Sequence, residues 1–423
     1  MNKVLDFGDD VLIGADPHSG VLEIFQNIEK QLPRHVTGLE RQTIIADLLA
    51  EIEDPERQEI RELFESFLHH MIDSNASDID LGGQGCLGQI WLRIYNNKRP
   101  AMELGAFSLD QFNIMNLNIL SSRQIEFLME HKNLDFSYGI THNGQSVRFR
   151  GDMYFDLDHL ALNMRCINNT IFPFKNLGFS SAVSRALSLK YEKQGLVLVT
   201  GITGSGKSTT LDSIIDANNQ TVDAHIVIIS SPVECVHLSN RCIIRHREIG
   251  RDVHSFKEGA VQSLRQDPDI IMIGEMRDGD TIMTALEITD SGHKVFSTLH
   301  TGSAVESIAR IVAECPTDEQ ERVRNRLADV LKVVVSQKLV PTLDGKRTLV
   351  KEVLLVNSSV RAAIKNDNTG EVYQMISEGN KEGMNTLEQD LRRLVTEKKI
   401  SMEEAINHAN NKNRMRELLE YSN

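Results

Sequence analysis

The chain lacks several features that would announce its class. Its 423 residues carry only five cysteines (Cys86, Cys166, Cys235, Cys242 and Cys315), scattered and with no C-x-x-C pair. That pattern excludes a disulfide scaffold and argues for a reducing compartment, inert thiols and no structural zinc. No run approaches 18 apolar residues, so no transmembrane helix is expected. The first residues, MNKVLDFGDDVLIGAD, lack an apolar stretch behind positive charge, and no signal peptide is read there. Basic residues are outnumbered, 46 against 60 acidic ones, for a net charge of −14. A broad nucleic-acid footprint is disfavoured on that ground, as is a basic, aromatic-rich stripe, since aromatics make up only 5%. Neither low-complexity tracts nor internal repeats are present.

What is there reads as a soluble multidomain protein. The length predicts two or three domains. Residues 1–58 are acidic and weakly patterned, with a helix expected around Glu40–Ile52, and read as an N-terminal extension. A helix over Arg57–Ile72 presents Ile60, Leu63, Phe64, Phe67, Leu68 and Met71 on one stripe. Short strand patterns (QIWLRIY, VRFR, HLALNMRCI) and the turn-forming pair Asn143-Gly144 then predict a small α/β domain on an antiparallel sheet, covering 59–180. From Gly195 onward strands alternate with helices, which predicts βαβ units and a parallel sheet. The last stretch, about 358–423, is charged and helical, within a second domain of 181–423.

The sharpest motif is Gly201-Ile202-Thr203-Gly204-Ser205-Gly206-Lys207-Ser208, which fits G-x-x-x-x-G-K-[ST]. It follows the buried-strand pattern LVLVT, and a helix can continue from Thr209. Glycines let backbone N–H groups curl around phosphate oxygens, and the helix N-terminus adds partial positive charge. Lys207 would reach the β and γ phosphates of ATP, and the Ser208 hydroxyl would ligate Mg²⁺. Such a site needs an acid at the end of a neighbouring strand, and Asp269-Ile-Ile-Met-Ile-Gly-Glu275 supplies Glu275. Two histidines, His293 and His300, flank the apolar VFSTL. They read as structural histidines, a metal pair or a γ-phosphate sensor. Between these elements, IVIISSPVECVH ends a strand in two serines, a proline and Glu234.

Taken together, GITGSGKSTTL, SSPVECVH, LRQDPDIIMIGEMRD and GHKVFSTLHTGSA resemble, in order, the phosphate loop, Asp box, Walker B segment and His box of bacterial type II/type IV secretion and pilus motor ATPases. The pilus-retraction branch is the nearest. RVRNRLADVLKVVVSQKLVPTLDGKRTLVKEVLLVNSSVRAAIKND, TLEQDLRRLVTEKKIS and ASDIDLGG extend the resemblance to about residues 60–420. It implies a small PAS-like α+β N-terminal domain, a RecA-like P-loop ATPase domain with a helical C-terminal region, and a homohexameric ring hydrolysing ATP with Mg²⁺. The implied setting is cytoplasmic, at the inner-membrane pilus machinery, acting through a platform protein and optionally beside a paralogous pilus motor, without direct nucleic acid. The implied work is pilus retraction and twitching motility. Two alternatives stay open: a weakly active accessory subunit, or an ATPase for type II/IV-like secretion or DNA uptake.

Carried over by the resemblance, Glu234 is the catalytic base, Glu275 the Walker B acid, and His300 and His293 the His-box residues. Arg150 and Arg165 match the surroundings of arginines that neutralise transition-state charge, or are ordinary solvated arginines. Where the family usually has another arginine, this chain has Asp158. The family reads I-E-D-P where this chain reads Ile229-Ser230-Ser231-Pro232. Two carboxylates are thus replaced by hydroxyls, which bring no negative charge to water or metal.

Overall fold

The computed structural model describes residues 19–420 except 96, 168 and 169. It divides into two compact units, Met1–Asn168 and Asn169–Asn423. The division falls about a dozen residues before the expected boundary at 180. Moreover, the segment expected as a separate extension belongs to the first unit's core. Helices Ser19–Glu29 and Gly38–Glu51 bury Phe25, Ile28, Ile45 and Leu49 in the same cluster as the sheet residues Ile79, Phe149 and Met164. Residues 1–18 of that expected extension lie outside the described residues.

The first unit is a six-stranded, wholly antiparallel sheet in the order β3-β2-β1-β6-β5-β4. Its strands are β1 (Asp78–Gly82), β2 (Trp91–Ile94), β3 (Asn97–Pro100), β4 (Asn133–His142), β5 (Gln145–Asp156) and β6 (His159–Ile167). The helix Asp54–Asp73 buries the six stripe residues Ile60, Leu63, Phe64, Phe67, Leu68 and Met71, as its 3.6-residue periodicity requires. Alternation sets the faces. Phe149, Met153, Leu162 and Met164 enter the core, so Arg150 and Arg165 stand on the opposite face.

Two tight turns shape that sheet. Asn143 and Gly144 take φ of 49° and 76° and join β4 to β5, with His142 paired to Gln145. Two consecutive positive φ values are what a two-residue hairpin of the right twist demands. Leu157 and Asp158 do the same between β5 and β6, at φ of 46° and 73°. Asp158 is therefore a hairpin tip, where a short acidic residue tolerates the left-handed conformation. Its carbonyl accepts from Gln42 Nε2 at 3.2 Å.

The second unit is a seven-stranded sheet in the order β13-β12-β7-β11-β10-β8-β9. The strands are β7 (Gly195–Thr200), β8 (His225–Ser230), β9 (Ile243–Glu248), β10 (Ile270–Ile273), β11 (Lys294–Leu299), β12 (Leu331–Pro341) and β13 (Arg347–Leu355). All pairs are parallel except the β12–β13 hairpin. Buried on both faces, the central strands β7, β8, β10 and β11 are nearly continuous apolar runs. Leu196, Leu198, Val227 and Ile271 feed one core, and Val197, Val199, Ile228 and Met272 feed the other. The helices Leu387–Thr396, Met402–His408 and Lys412–Glu420 close a smaller core on the far half of the hairpin, with Val340 and Val350.

Candidate active site

Parallel strands deliver their carboxyl ends to one edge, where open α/β sheets bind ligands. Register places Thr200 beside Leu299, and Ile273 beside both Ile229 and Ser297. The phosphate loop after β7, His300 after β11, Glu275 after β10 and the Ser230–Glu234 loop after β8 thus share one edge, in that order. A strand, β11, separates the phosphate-loop strand from the acid-bearing strand. His300 consequently sits between Lys207 and Glu275.

The loop's glycines are dictated by shape. Gly201, Gly204 and Gly206 have φ of 148°, 79° and 88°, a region that L side chains avoid. A methyl group at Gly201 would also collide with Ser205 Oγ and the Gln337 carbonyl. The helix Lys207–Thr221 starts directly behind the loop, leaving Ser208 and Thr209 exposed at its N-terminus. Lys207 is only 9% exposed. Its ammonium donates to the carbonyls of Gly201 (2.9 Å) and Ile202 (3.2 Å). Burial lowers its pKa, and Glu275 partly offsets this.

Glu275 is the electrostatic hub. One carboxylate oxygen meets Arg277 at 2.7 Å, and the other lies 3.7 Å from His300 Nε2. His300 has its pKa lowered, first by burial and then by the Lys207 ammonium, against the pull of Glu275. Both causes favour the neutral imidazole over the charged form. The following loop is fixed from elsewhere: Ala304 N–H donates to Glu352 at 2.8 Å, and Asn410 Nδ2 donates to the Gly302 carbonyl at 3.1 Å.

Glu234 is exposed on a loop held at both ends. Val233 N–H donates to the buried Glu248 carboxylate at 3.0 Å. His237 reaches Asp212 on the phosphate-loop helix at 3.1 Å, and Asn219 on the same helix donates to the Leu238 carbonyl at 2.8 Å. These contacts bring the loop back from β8 toward the phosphate-loop helix. Ser230 is half-buried and Ser231 exposed.

Of the other expected residues, one lies at the far edge of this sheet and two belong to the first unit. His293 precedes β11 at the opposite edge of the sheet, about 20 Å from the His300 end at the usual strand rise. Its carbonyl accepts from Gly195 N–H, and its ring lies against Ser291 Oγ and the Ile288 carbonyl, at the end of helix Gly279–Asp290. Arg150 and Arg165 belong to the first unit, where they pair directly across β5 and β6. Each has a carboxylate partner: Asp135 at 3.3 Å for Arg150, and the buried Asp78 at 2.7 Å for Arg165. That is how two like charges face one another on a sheet.

Sequence reading missed Gln337 and Glu248. Gln337 on β12 accepts from Thr210 Oγ1 at 3.1 Å and donates to the Ser205 carbonyl at 2.9 Å, bracing the phosphate loop. The only signal was a polar Ser-Gln pair interrupting the apolar run VVVSQKLV.

The pocket suits a phosphate chain with a hard divalent cation. Ser205 Oγ is buried without a hydrogen-bond partner among the described residues, an orphan that a bound anion network would satisfy. The exposed Ser208 hydroxyl and the half-buried Glu275 carboxylate are the donor types that Mg²⁺ prefers.

Comparison with known proteins agrees with this geometry. The family model of the type II/IV secretion system proteins matches residues 53–417. The type IV pilus retraction ATPase PilT of Pseudomonas aeruginosa is 37% identical over 288 residues, covering 68% of this chain and 82% of that protein. The type IV pilus ATPase PilU of the same organism is 31% identical over 354 residues, covering 84% and 90%. Among solved structures, the pilus retraction motor PilT with bound ADP superposes with a TM-score of 0.74 at 33% identity, covering 83% of this chain and 98% of that one.

Proposed function

This chain belongs to the type II/IV secretion system protein family, and we propose that it is a motor that retracts a type IV pilus. It is an ATPase, converting ATP and water to ADP and phosphate. The observation that carries the reading is the shared sheet edge of the phosphate loop, His300 and Glu275, in a chain similar along most of its length to the retraction ATPase. The motor works as a homohexameric ring on the cytoplasmic side of the inner membrane, through a platform protein of the pilus machinery. No helix among the described residues is long and apolar enough to cross a membrane.

In the proposed mechanism, backbone N–H groups of 201–206 and the Lys207 ammonium hold the β and γ phosphates. Lys207 gives up its two carbonyl partners to do so. Ser208 and Glu275 would hold Mg²⁺, which when bound draws charge from the γ-phosphate oxygens. Glu234 orients the attacking water and accepts its proton. Neutral His300, between Lys207 and Glu275, is positioned to donate to the departing γ-phosphate. Arg150 and Arg165 supply positive charge in the assembled ring, exchanging Asp135 and Asp78 for phosphate oxygens. No role at the phosphates is assigned to His293.

The test is steady-state ATP turnover and twitching in a pilus-bearing host. Lys207→Ala and Glu234→Gln each abolish both; full motility in either variant overturns the reading. A second reading, a weakly hydrolysing accessory subunit, is favoured by Ser230 and Ser231, which leave the loop two carboxylates short. A robust Lys207-dependent rate in the purified protein rules it out.

A further inference from the structure

The geometry points to a binding site for a borderline divalent cation of the zinc class, formed by Asp212, Cys235 and His237, apart from the phosphate loop. One ligand atom from each of these three residues lies within 4.8 Å of the other two. A tetrahedral centre with bonds of about 2.0–2.3 Å separates its ligand atoms by roughly 3.3–3.8 Å. Closing the present cluster around an ion therefore takes shifts of about an ångström.

The residues come from two segments that the fold brings together. Asp212 lies one turn beyond Ser208 on the phosphate-loop helix, on the same side. Cys235 and His237 lie two apart on the returning loop. The Asp212–His237 contact at 3.1 Å already sets one edge of the tetrahedron. The imidazole of His237 is fully buried, stacked on His246 with ring centres 6.1 Å apart and planes 7° from parallel. Its Nδ1 has no hydrogen-bond partner among the described residues. The nitrogen that faces Asp212 is Nε2, so Nε2 is the atom this ring offers to an ion beside the carboxylate and the thiol.

Thiolate, imidazole and carboxylate together select zinc over magnesium, which demands oxygen ligands. Binding displaces the Cys235 thiol proton to solvent; no electron transfer is involved. The sequence offers no C-x-x-C pair, so the cluster is visible only once the loop is folded back onto the helix. Its consequence is mechanical: an ion here pins the segment immediately after Glu234 to the helix that carries Lys207 and Ser208.

The test is zinc binding to the full-length protein with magnesium present and nucleotide withheld. Expected is about one ion per chain. Asp212→Asn, Cys235→Ser and His237→Ala should each weaken binding at least about 100-fold, beyond what changes outside the ligand set cause. Cobalt in place of zinc should give a thiolate-to-metal absorption band that Cys235→Ser abolishes. Asp212→Asn and Cys235→Ser keep side-chain shape and alter packing volume only slightly, so circular dichroism should match the parent. Binding that is undetectable in the parent, equal in all three variants, or a cobalt band that survives Cys235→Ser, each overturns the site.

Discussion

His300 Nε2 stands 3.7 Å from Glu275 Oε2, although the two residues close different strands. The separation is too long for a hydrogen bond, but short enough for the carboxylate to hold the imidazole against the Lys207 ammonium. The two act as a unit in the proposed mechanism, so their losses should not add. Glu275→Gln and His300→Ala are each expected to lower kcat about 100-fold, and the double variant little further. Additive losses in a double-mutant cycle would separate their roles.

Gln337 should matter although it touches no substrate. Gln337→Leu removes both bonds that brace the phosphate loop, leaving the Ser205 carbonyl and Thr210 hydroxyl without that partner. A loss of about 1–3 kcal/mol per unsatisfied group converts to a rise of at least about tenfold in KM for ATP. Titration with an ATP analogue checks it, and unchanged affinity would refute the brace.

Restoring the missing charge tests the loop after β8. Ser231 is exposed, so Ser231→Asp costs little desolvation. Under the motor reading, Ser230→Glu with Ser231→Asp should raise kcat several-fold at limiting Mg²⁺, with a smaller effect at saturation. An unchanged Mg²⁺ dependence would show that Glu234 and Glu275 already suffice.

Glu352 makes stability depend on pH. Burial pushes its carboxyl up to about 7, so the folded state favours the protonated form. Its contribution is full below the unfolded value of about 4.3 and is lost as pH rises through about 7. Glu352→Gln keeps an acceptor for Ala304 N–H and removes the titration. The Tm of the variant should therefore gain several degrees on the parent between pH 5 and pH 8. Parallel melting curves would contradict the assignment.

Legibility followed the range of the interactions. The stripe from Ile60 to Met71, the Asn143-Gly144 hairpin and the phosphate loop are local patterns, and each was plain in the sequence. The helix Ser19–Glu29 was missed although Val21, Ile24, Phe25 and Ile28 recur at i, i+3, i+4 and i+7; the pattern spans only two turns, and its place in the first unit's core is set by distant partners. His293 and His300 read as a pair in sequence, yet an extended strand of six residues holds them at opposite edges. Gln337 and Glu248 support the site through partners more than a dozen residues away, which no local pattern encodes.

The loop after His300 is attached at both ends. One end borders Glu275 and Lys207; the other is tied through Gly302 to Asn410 and through Ala304 to Glu352. Under the motor reading, a displacement of His300 when a phosphate leaves would reach the C-terminal helices along this short tether. On that reading, four residues of backbone separate the bond that breaks from the block of helices that would move.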